Sequence, residues 1–99
     1  MSAIENTLAQ RGSRYGTIED NSELCQGMLD VLKGHDGWDQ LSQTHRECLH
    51  MVLHKISRMI SGDCWYDDNP HDIAGYATLL EQYIIEKVKA DPQLLREND

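Results

Sequence analysis

The sequence predicts an all-α protein, a small bundle of three principal helices at about 22–33, 42–61 and 70–89 that follows a flexible N-terminal arm. Three observations lead to this prediction. Apolar residues recur at helical spacing in each segment, and capping residues, Gly or Pro mark the segment ends. The chain has no Phe, two Trp and four Tyr, so its core must consist mainly of aliphatic side chains, which is typical of packed helices.

The 99 residues are enough for one domain with a single core. We expect residues 1–20 to form the arm, 21–91 the helical domain and 92–99 a C-terminal tail. The arm is predicted because Gly, Ser, Asp and Asn follow one another closely over residues 11–21, and these residue types favour loops.

The first and second helices each show an apolar face and a capping residue. In the first, apolar residues stand at Leu24 and four, seven and eight positions later, and Asn21 or Ser22 is the expected N-cap. In the second, an apolar stripe extends over three turns and Ser42 is a candidate N-cap. Gly62 follows where a helix commonly ends on a left-handed residue.

The third helix is predicted after a short connection. Asn69 is a suitable N-cap, and Pro70 suits the first helical position because its missing N–H would lack an intrahelical partner anyway. Gly75 is costly inside a helix, so we expect it to allow another helix to approach closely. Asp91-Pro92 ends the helix.

Composition limits the function classes. A net charge of −8 argues against a protein that binds nucleic acid by neutralising phosphates. Three cysteines, Cys25, Cys48 and Cys64, do not suggest a disulfide framework, and a reducing compartment fits them best. We find neither a signal sequence nor a membrane span, and therefore expect a cytoplasmic protein.

The strongest candidate site lies on both sides of the connection between the second and third helices. Lys55 and Arg58 are neighbours on one helix face, and Asp67, Asp68 and Asp72 follow the connection. Clustered carboxylates can hold Mg²⁺ while cations neutralise phosphate oxygens, so this pattern suits a phosphorylated ligand. The alternative is structural, with the cations and carboxylates paired to hold the hairpin together.

Two further features belong to this candidate site. Arg11 and Arg14 lie in the arm, where they could capture an anion or pair with the protein's own acids. Trp65 and Tyr66 stand next to the acidic cluster, where they could stack on a nucleobase. The more ordinary interpretation of these aromatics is that they cover the open end of the bundle.

A metal site is a weaker candidate. His50 and His54 are spaced at i and i+4, which can place two imidazoles on one metal ion. A zinc site needs three or four ligands, and Glu47, Cys64 and His71 are the available candidates for a third. The alternative is two histidines at the edge of the core.

Three motifs together resemble a known family. R-G-S-R-Y-G at 11–16, H-K-I-S-R-M-I-S-G-D at 54–63 and D-N-P-H-D-I-A-G-Y-A at 68–77 resemble small uncharacterised helical proteins encoded by bacteriophages and prophages. The resemblance covers nearly the whole chain, and the last motif is the most specific. It implies a phage-derived protein and carries no settled activity.

The last motif is also similar to phage domains associated with nucleotide modification and, remotely, to the all-α NTP pyrophosphohydrolases. Those enzymes hold Mg²⁺ with a Glu-Glu-x-x-Glu cluster on the partner helix. Here the partner helix offers only Glu47 in that role, and it carries Lys55 and Arg58 where further acids would be needed.

These observations lead to a functional hypothesis. We expect a phage-encoded accessory domain that binds a nucleotide or other phosphorylated small molecule, without catalytic residues. Lys55, Arg58 and Arg14 would contact phosphate, and Asp68 and Asp72 would hold a metal, most simply Mg²⁺, or orient the cations.

Two alternatives remain. The first is an acidic protein–protein interaction module that inhibits or modulates a host or defence factor. The second is a weak Mg²⁺-dependent NTP pyrophosphohydrolase. Helices with broad apolar faces in so short a chain also predict a homo-oligomer, most simply a homodimer, in the cytoplasm of the host bacterium.

Overall fold

The computed structural model describes residues 2–95, and this part of the chain is all-α, as predicted. The α-helices are α1 (Ala3–Tyr15), α2 (Ile18–Lys33), α3 (Gln43–Ser61) and α4 (Asp68–Ala90). Short 3₁₀ helices follow α2 at Asp36–Gln40 and α4 at Pro92–Leu94. The predicted tail extends past these residues, so its last part, 96–99, lies outside the described range.

Helix α3 is the central element of the fold. Both α2 and α4 pack against it and make little contact with each other. Its N-cap is Ser42, as predicted: the Ser42 hydroxyl accepts a hydrogen bond from the amide of His45, and the His45 ring accepts one from the amide of Ser42. None of residues 48–59 is exposed, which is expected for a helix with neighbours on more than one side.

The arm region contains a helix that local sequence signals did not predict. Helix α1 begins with a capping box in which the side chains and amides of Ser2 and Glu5 bond reciprocally. It continues through Gly12 and Ser13, where a loop was predicted. Both residues are exposed, so the glycine costs helix propensity but no packing, and the helix tolerates it.

Helix α2 begins earlier than expected. Its N-cap is Thr17, whose hydroxyl accepts a hydrogen bond from the amide of Asp20, so the prediction of Asn21 or Ser22 was wrong. Asn21 is buried within α2 and donates its side-chain amide to the backbone carbonyls of Tyr15 and Thr17. A tertiary role for Asn21, which ties the end of α1 to α2, replaces the local capping role.

Helix α4 also departs from the prediction at its start. It begins at Asp68 after Asp67, which makes no side-chain capping bond. Asn69, the expected N-cap, is instead inside the helix and completely buried. A Cβ added to Gly75 would have no atom of another element within 4 Å. The prediction that Gly75 lets another helix of this chain approach closely is therefore wrong.

The interior is small and partly polar. The buried hydrophobic residues are Cys25 and Leu29, and the buried polar ones are Asn21, Lys55, Ser57 and Asn69. The molecule measures 58 × 26 × 22 Å. Its radius of gyration is 16.9 Å, whereas a compact chain of about 100 residues has about 13 Å. Among residues 2–95, none of the helices combines the length and apolar character that crossing a membrane requires.

Candidate functional site

The ends of four helices meet at one corner of the molecule: the end of α1, the start of α2, the end of α3 and the start of α4. Here the backbone at the junction of α1 and α2 crosses the backbone at the end of α3, and two glycines allow this close contact. A Cβ added to Gly16 would lie 2.8 Å from Cβ of Ser61, and one added to Gly62 would lie 2.6 Å from the carbonyl carbon of Tyr15. The amide of Asp63 donates to the carbonyl of Arg14 at 2.9 Å across this crossing.

The two glycines serve this contact in different ways. Gly16 has a φ of 80°, which L side chains rarely adopt, so it needs glycine for its conformation as well as for space. Gly62 has a φ of −115°, so the predicted left-handed helix end is wrong. Glycine is required at position 62 because the backbone of Arg14 and Tyr15 passes directly over it.

Lys55 is neutralised by Asp72. Its Nζ lies 2.9 Å from Oδ2 of Asp72, and the two side chains are 11% and 31% exposed. The hydrogen bond from Lys55 holds the pKa of Asp72 below its usual value. The predicted pairing of a cation with a carboxylate therefore exists here as an α3–α4 link, and it occupies both groups.

Arg58 differs from Lys55. Within residues 2–95 it has no carboxylate partner, and its guanidinium lies 4.5 Å from the centre of the Tyr15 ring. Arg11 lies 5.3 Å from the same ring. Arg14 lies 4.8 Å from the ring centre of Tyr66 and donates a hydrogen bond to its hydroxyl at 3.3 Å. We call Arg11, Arg14, Arg58, Tyr15 and Tyr66 the arginine–tyrosine cluster.

The two tyrosines connect the cluster to α4. Their ring centres are 5.8 Å apart in an edge-to-face arrangement. The Tyr15 hydroxyl donates to Asp68 at 2.9 Å. Burial, reinforced by this hydrogen bond, raises the pKa of Tyr15 to about 12. Asp68 is thus engaged by a tyrosine, while Asp67 is exposed and forms no ion pair with a described residue.

A pocket of about 380 Å³ opens between α1, α2 and α3 beside the cluster. Its charged and polar lining includes Arg11, Arg58, His54, Thr17 and Asn21. Burial and the neighbouring cations, first Arg58 and then Lys55, lower the pKa of His54. The N-terminus of α2 forms part of the wall and adds the positive end of its dipole. The pocket therefore favours an anion.

Polar groups buried near this corner lack partners. The side-chain oxygen of Asn21 and both polar side-chain atoms of Asn69 form no hydrogen bond with any described residue. Such groups are uncommon in folded proteins because each costs about 1–3 kcal/mol of desolvation free energy.

The remaining predicted residues have other surroundings. The Trp65 side chain is 91% exposed, so the interpretation that it covers the end of the bundle is wrong, and it does not line the pocket. Asp68 and Asp72 already have the partners described above. In the described part of the chain, no three or more His, Cys, Asp or Glu residues are grouped to hold a metal. His50 and His54 therefore have no grouped third ligand for zinc within residues 2–95. Mg²⁺ at Asp68 and Asp72 stays a prediction, because one or two carboxylates with water and phosphate can hold this ion.

Among the aromatic and ionisable residues of the site, sequence reasoning missed the roles of Tyr15 and His54. Tyr15 was not singled out, although it lies four residues after Arg11 and so shares a helix face with it. His54 was considered only as a metal ligand, although it lies four residues before Arg58. The i, i+4 spacing was the available signal in both cases, but the spacing cannot show that α1 and α3 come together.

The fold and the site define an all-α protein with an arginine-lined polar corner. Comparisons with models of protein families, with curated proteins and with solved structures found no match. The resemblance to phage and prophage proteins therefore stays a prediction based on the three motifs.

Proposed function

We propose that this protein is an accessory domain that binds a nucleotide or another phosphorylated small molecule in the pocket between α1, α2 and α3, without catalysing a reaction itself. One observation carries the proposal. Arg11 and Arg58 line the same pocket, and neither pairs with a carboxylate among residues 2–95, although acids outnumber Lys and Arg by 17 to 9 in the chain. Guanidinium groups left available in an acidic protein suit an external anion.

The residues would divide the binding of the ligand between them. Arg58 and Arg11 would hold phosphate oxygens through paired N–H donors, since a planar guanidinium matches a phosphate in this way. Arg14 does not line the pocket, and it would act by positioning Tyr66 and Tyr15. Lys55, already paired with Asp72, would contribute through its position and not by direct contact.

The rest of the pocket suits the organic part of such a ligand. Thr17, Asn21 and Ser22 offer polar atoms, and Leu8 and Ile18 offer apolar surface at the rim. A volume of about 380 Å³ is near the lower end for small-molecule sites. It therefore favours a mononucleotide or a similarly small phosphate over a dinucleotide.

A thermal-unfolding experiment tests this proposal. The protein is melted with orthophosphate, nucleoside monophosphates and nucleoside triphosphates, each with and without Mg²⁺. A ligand at 100 times its Kd stabilises the folded state by about 2.7 kcal/mol, which raises the Tm of a domain of this size by roughly 10 °C or more. We expect Arg58→Ala to lose this shift while its circular dichroism stays helical.

Arg46→Ala is the matched control for Arg58→Ala. Arg46 also lies on α3 and also stacks on an aromatic ring, that of Trp38 at 5.4 Å. It stands twelve residues from Arg58, about 18 Å along the helix. The proposal fails if no compound on the panel shifts the Tm of the wild type, or if Arg46→Ala loses the shift as completely as Arg58→Ala.

The second candidate function is a non-enzymatic module that modulates a host or defence factor. A groove of about 560 Å³ between α2 and the end of α3 favours it, because exposed Val31 and Ile60 lie there beside Asp20 and Glu23. An apolar groove with acidic edges suits a basic amphipathic segment of a partner. This function requires salt-sensitive binding of a basic partner that Asp20→Lys with Glu23→Lys abolishes, and it requires no Tm shift with the phosphate panel.

The pyrophosphohydrolase alternative gains no support, since the carboxylates it needs at Asp68 and Asp72 are engaged with Tyr15 and Lys55. Phage origin and action in the cytoplasm of a host bacterium fit an accessory domain of this kind, and both remain part of the proposal.

A further inference from the structure

We propose that a second copy of this chain covers an aliphatic surface at the end of α4. This C-terminal aliphatic surface consists of Ile84, Ile85, Val88, Leu94 and Leu95. Val88 is half-buried, and the other four are exposed, Ile85 to 47% and Leu95 to 67%. Four of the five line a groove of about 600 Å³ between α4, the last 3₁₀ helix and the segment before α3.

Helix α4 has more apolar surface than its contact with α3 uses. Ile73, Tyr76 and Leu80 recur at three- and four-residue spacing and are half-buried in the bundle. At 3.6 residues per turn, Ile84 and Val88 lie about 20° and 60° around the helix from Ile73, and Ile85 lies about 120° from it. The apolar stripe therefore widens towards the end of α4. An apolar stripe of this width is normally covered by a neighbouring element along its whole length.

The total exposed area is consistent with a missing partner. The chain exposes 7541 Å² of surface. A compact monomer of 11.3 kDa would expose about 5,700 Å², so the excess is about 1,800 Å². A standard stable interface buries about 800 Å² on each partner, and obligate homodimers bury more. One copy therefore leaves enough surface uncovered to build a stable dimer.

A twofold arrangement matches large residues with small ones. If two α4 helices pack antiparallel about position 81, Ala77 of one copy lies opposite Ile85 of the other, and Ala74 lies opposite Val88. The two Glu81 side chains then face each other across the axis. Their mutual repulsion would weaken the dimer at neutral pH, so Glu81→Gln is expected to tighten it.

This surface is separate from the proposed ligand pocket. Ile85 stands seventeen residues after Asp68, about 25 Å along α4, and none of the five residues lines the pocket. Dimer formation and ligand binding can therefore fail independently of each other, and each has its own measurement.

Sedimentation equilibrium of the full chain between about 5 and 200 μM tests the proposal. We expect a mass of twice 11.3 kDa for the wild type, and for Ile85→Glu a dissociation constant raised at least tenfold. Leu79→Glu is the matched control, because it replaces another exposed aliphatic residue of α4 with Glu about 120° around the helix from Ile85, and it should stay dimeric.

Leu95→Glu is a second variant whose site lies outside any helix, so it tests the interface without disturbing α4. It should also weaken the dimer. A monomeric wild type throughout the concentration range would overturn the proposal, since the surface would then belong to a different partner. A dimer unaffected by Ile85→Glu and Leu95→Glu but lost in Val31→Glu would also overturn it, and would assign the interface to the groove between α2 and α3.

Discussion

The crossing at Gly62 leads to a prediction that contrasts two glycines of the same chain. Replacing Gly62 with Ala places a methyl group 2.6–2.7 Å from backbone carbon atoms of Tyr15 and Arg14. Replacing Gly75 with Ala places one in open space within α4. Both substitutions add one methyl group, but Gly62 follows α3 with backbone packed over it, whereas Gly75 lies inside α4 with open space beside it.

The loss of stability expected for Gly62→Ala follows from the contacts that the added methyl group would make at the corner. The overlap at Gly62 is with backbone, which cannot turn aside, and insertion of a methyl group into such a site costs about 1–3 kcal/mol. Moving the two backbone segments apart would relieve the overlap but would break the hydrogen bond from the amide of Asp63 to the carbonyl of Arg14, which costs about 1 kcal/mol. We therefore expect Gly62→Ala to destabilise the fold by about 2–3 kcal/mol.

Gly75→Ala should have the opposite sign. It removes the backbone entropy cost of an interior helical glycine and adds no clash, which stabilises the helix by about 0.5–1 kcal/mol. Urea unfolding followed by circular dichroism measures both values. Trypsin cleavage after Arg11 or Arg14 provides a second readout, since a displaced α1 would be cut faster in Gly62→Ala.

A free energy of unfolding for Gly62→Ala within about 0.5 kcal/mol of the wild-type value, together with an unchanged cleavage rate, would refute the prediction, because harmless surface substitutions fall in this range. A loss of stability in Gly75→Ala equal to that in Gly62→Ala would also contradict the prediction, because the methyl group at position 75 meets no atom and favours the helix.

Three further predictions concern ionisable groups. Asp72→Asn leaves Lys55 buried without its partner and should cost about 2–3 kcal/mol, less than for a completely buried pair because Asp72 is partly exposed. Because the pKa of Asp72 is lowered by folding, the pair stabilises the wild type above about pH 4 and loses this effect as pH falls further, which urea titrations from pH 6 to 3 would show. The pKa of Tyr15, about 12 in the folded protein, should fall in Asp68→Asn but stay above its ordinary value, because burial, the largest cause, remains; ultraviolet absorbance measures it, and an unchanged value would exclude Asp68 as a cause. Phosphate bound beside His54 should raise the lowered pKa of that ring, and a histidine NMR titration with no change in saturating phosphate would place the anion elsewhere.

Much of the fold could be predicted from the sequence because its signals are local. Ser42 caps α3 as expected, and the apolar spacing identified α3 and most of α4. The start of α2 could not be predicted in this way. Thr17, Asn21 and Ser22 are all good capping residues. Thr17 is the N-cap because Asn21 uses its side-chain amide to donate a hydrogen bond to the carbonyl of Tyr15 instead.

The same distinction holds for the candidate site. The sequence located the corner, since Lys55, Arg58, Asp68 and Asp72 do lie around the turn between α3 and α4. It could not decide which cation is neutralised. Spacing along a helix gives each residue a face, but ion pairs depend on distances of a few ångströms between different helices.

The sequence by itself determined that this chain is helical, where its central helix begins, and where charged groups meet. Only the tertiary structure decided that Asp72 neutralises Lys55 and that Arg58 turns to Tyr15, 43 positions away in the chain. The physical reason is the crossing at Gly16 and Gly62, where two backbones approach so closely that α1 becomes one wall of the pocket. Helix periodicity describes one element at a time, and this pocket belongs to three.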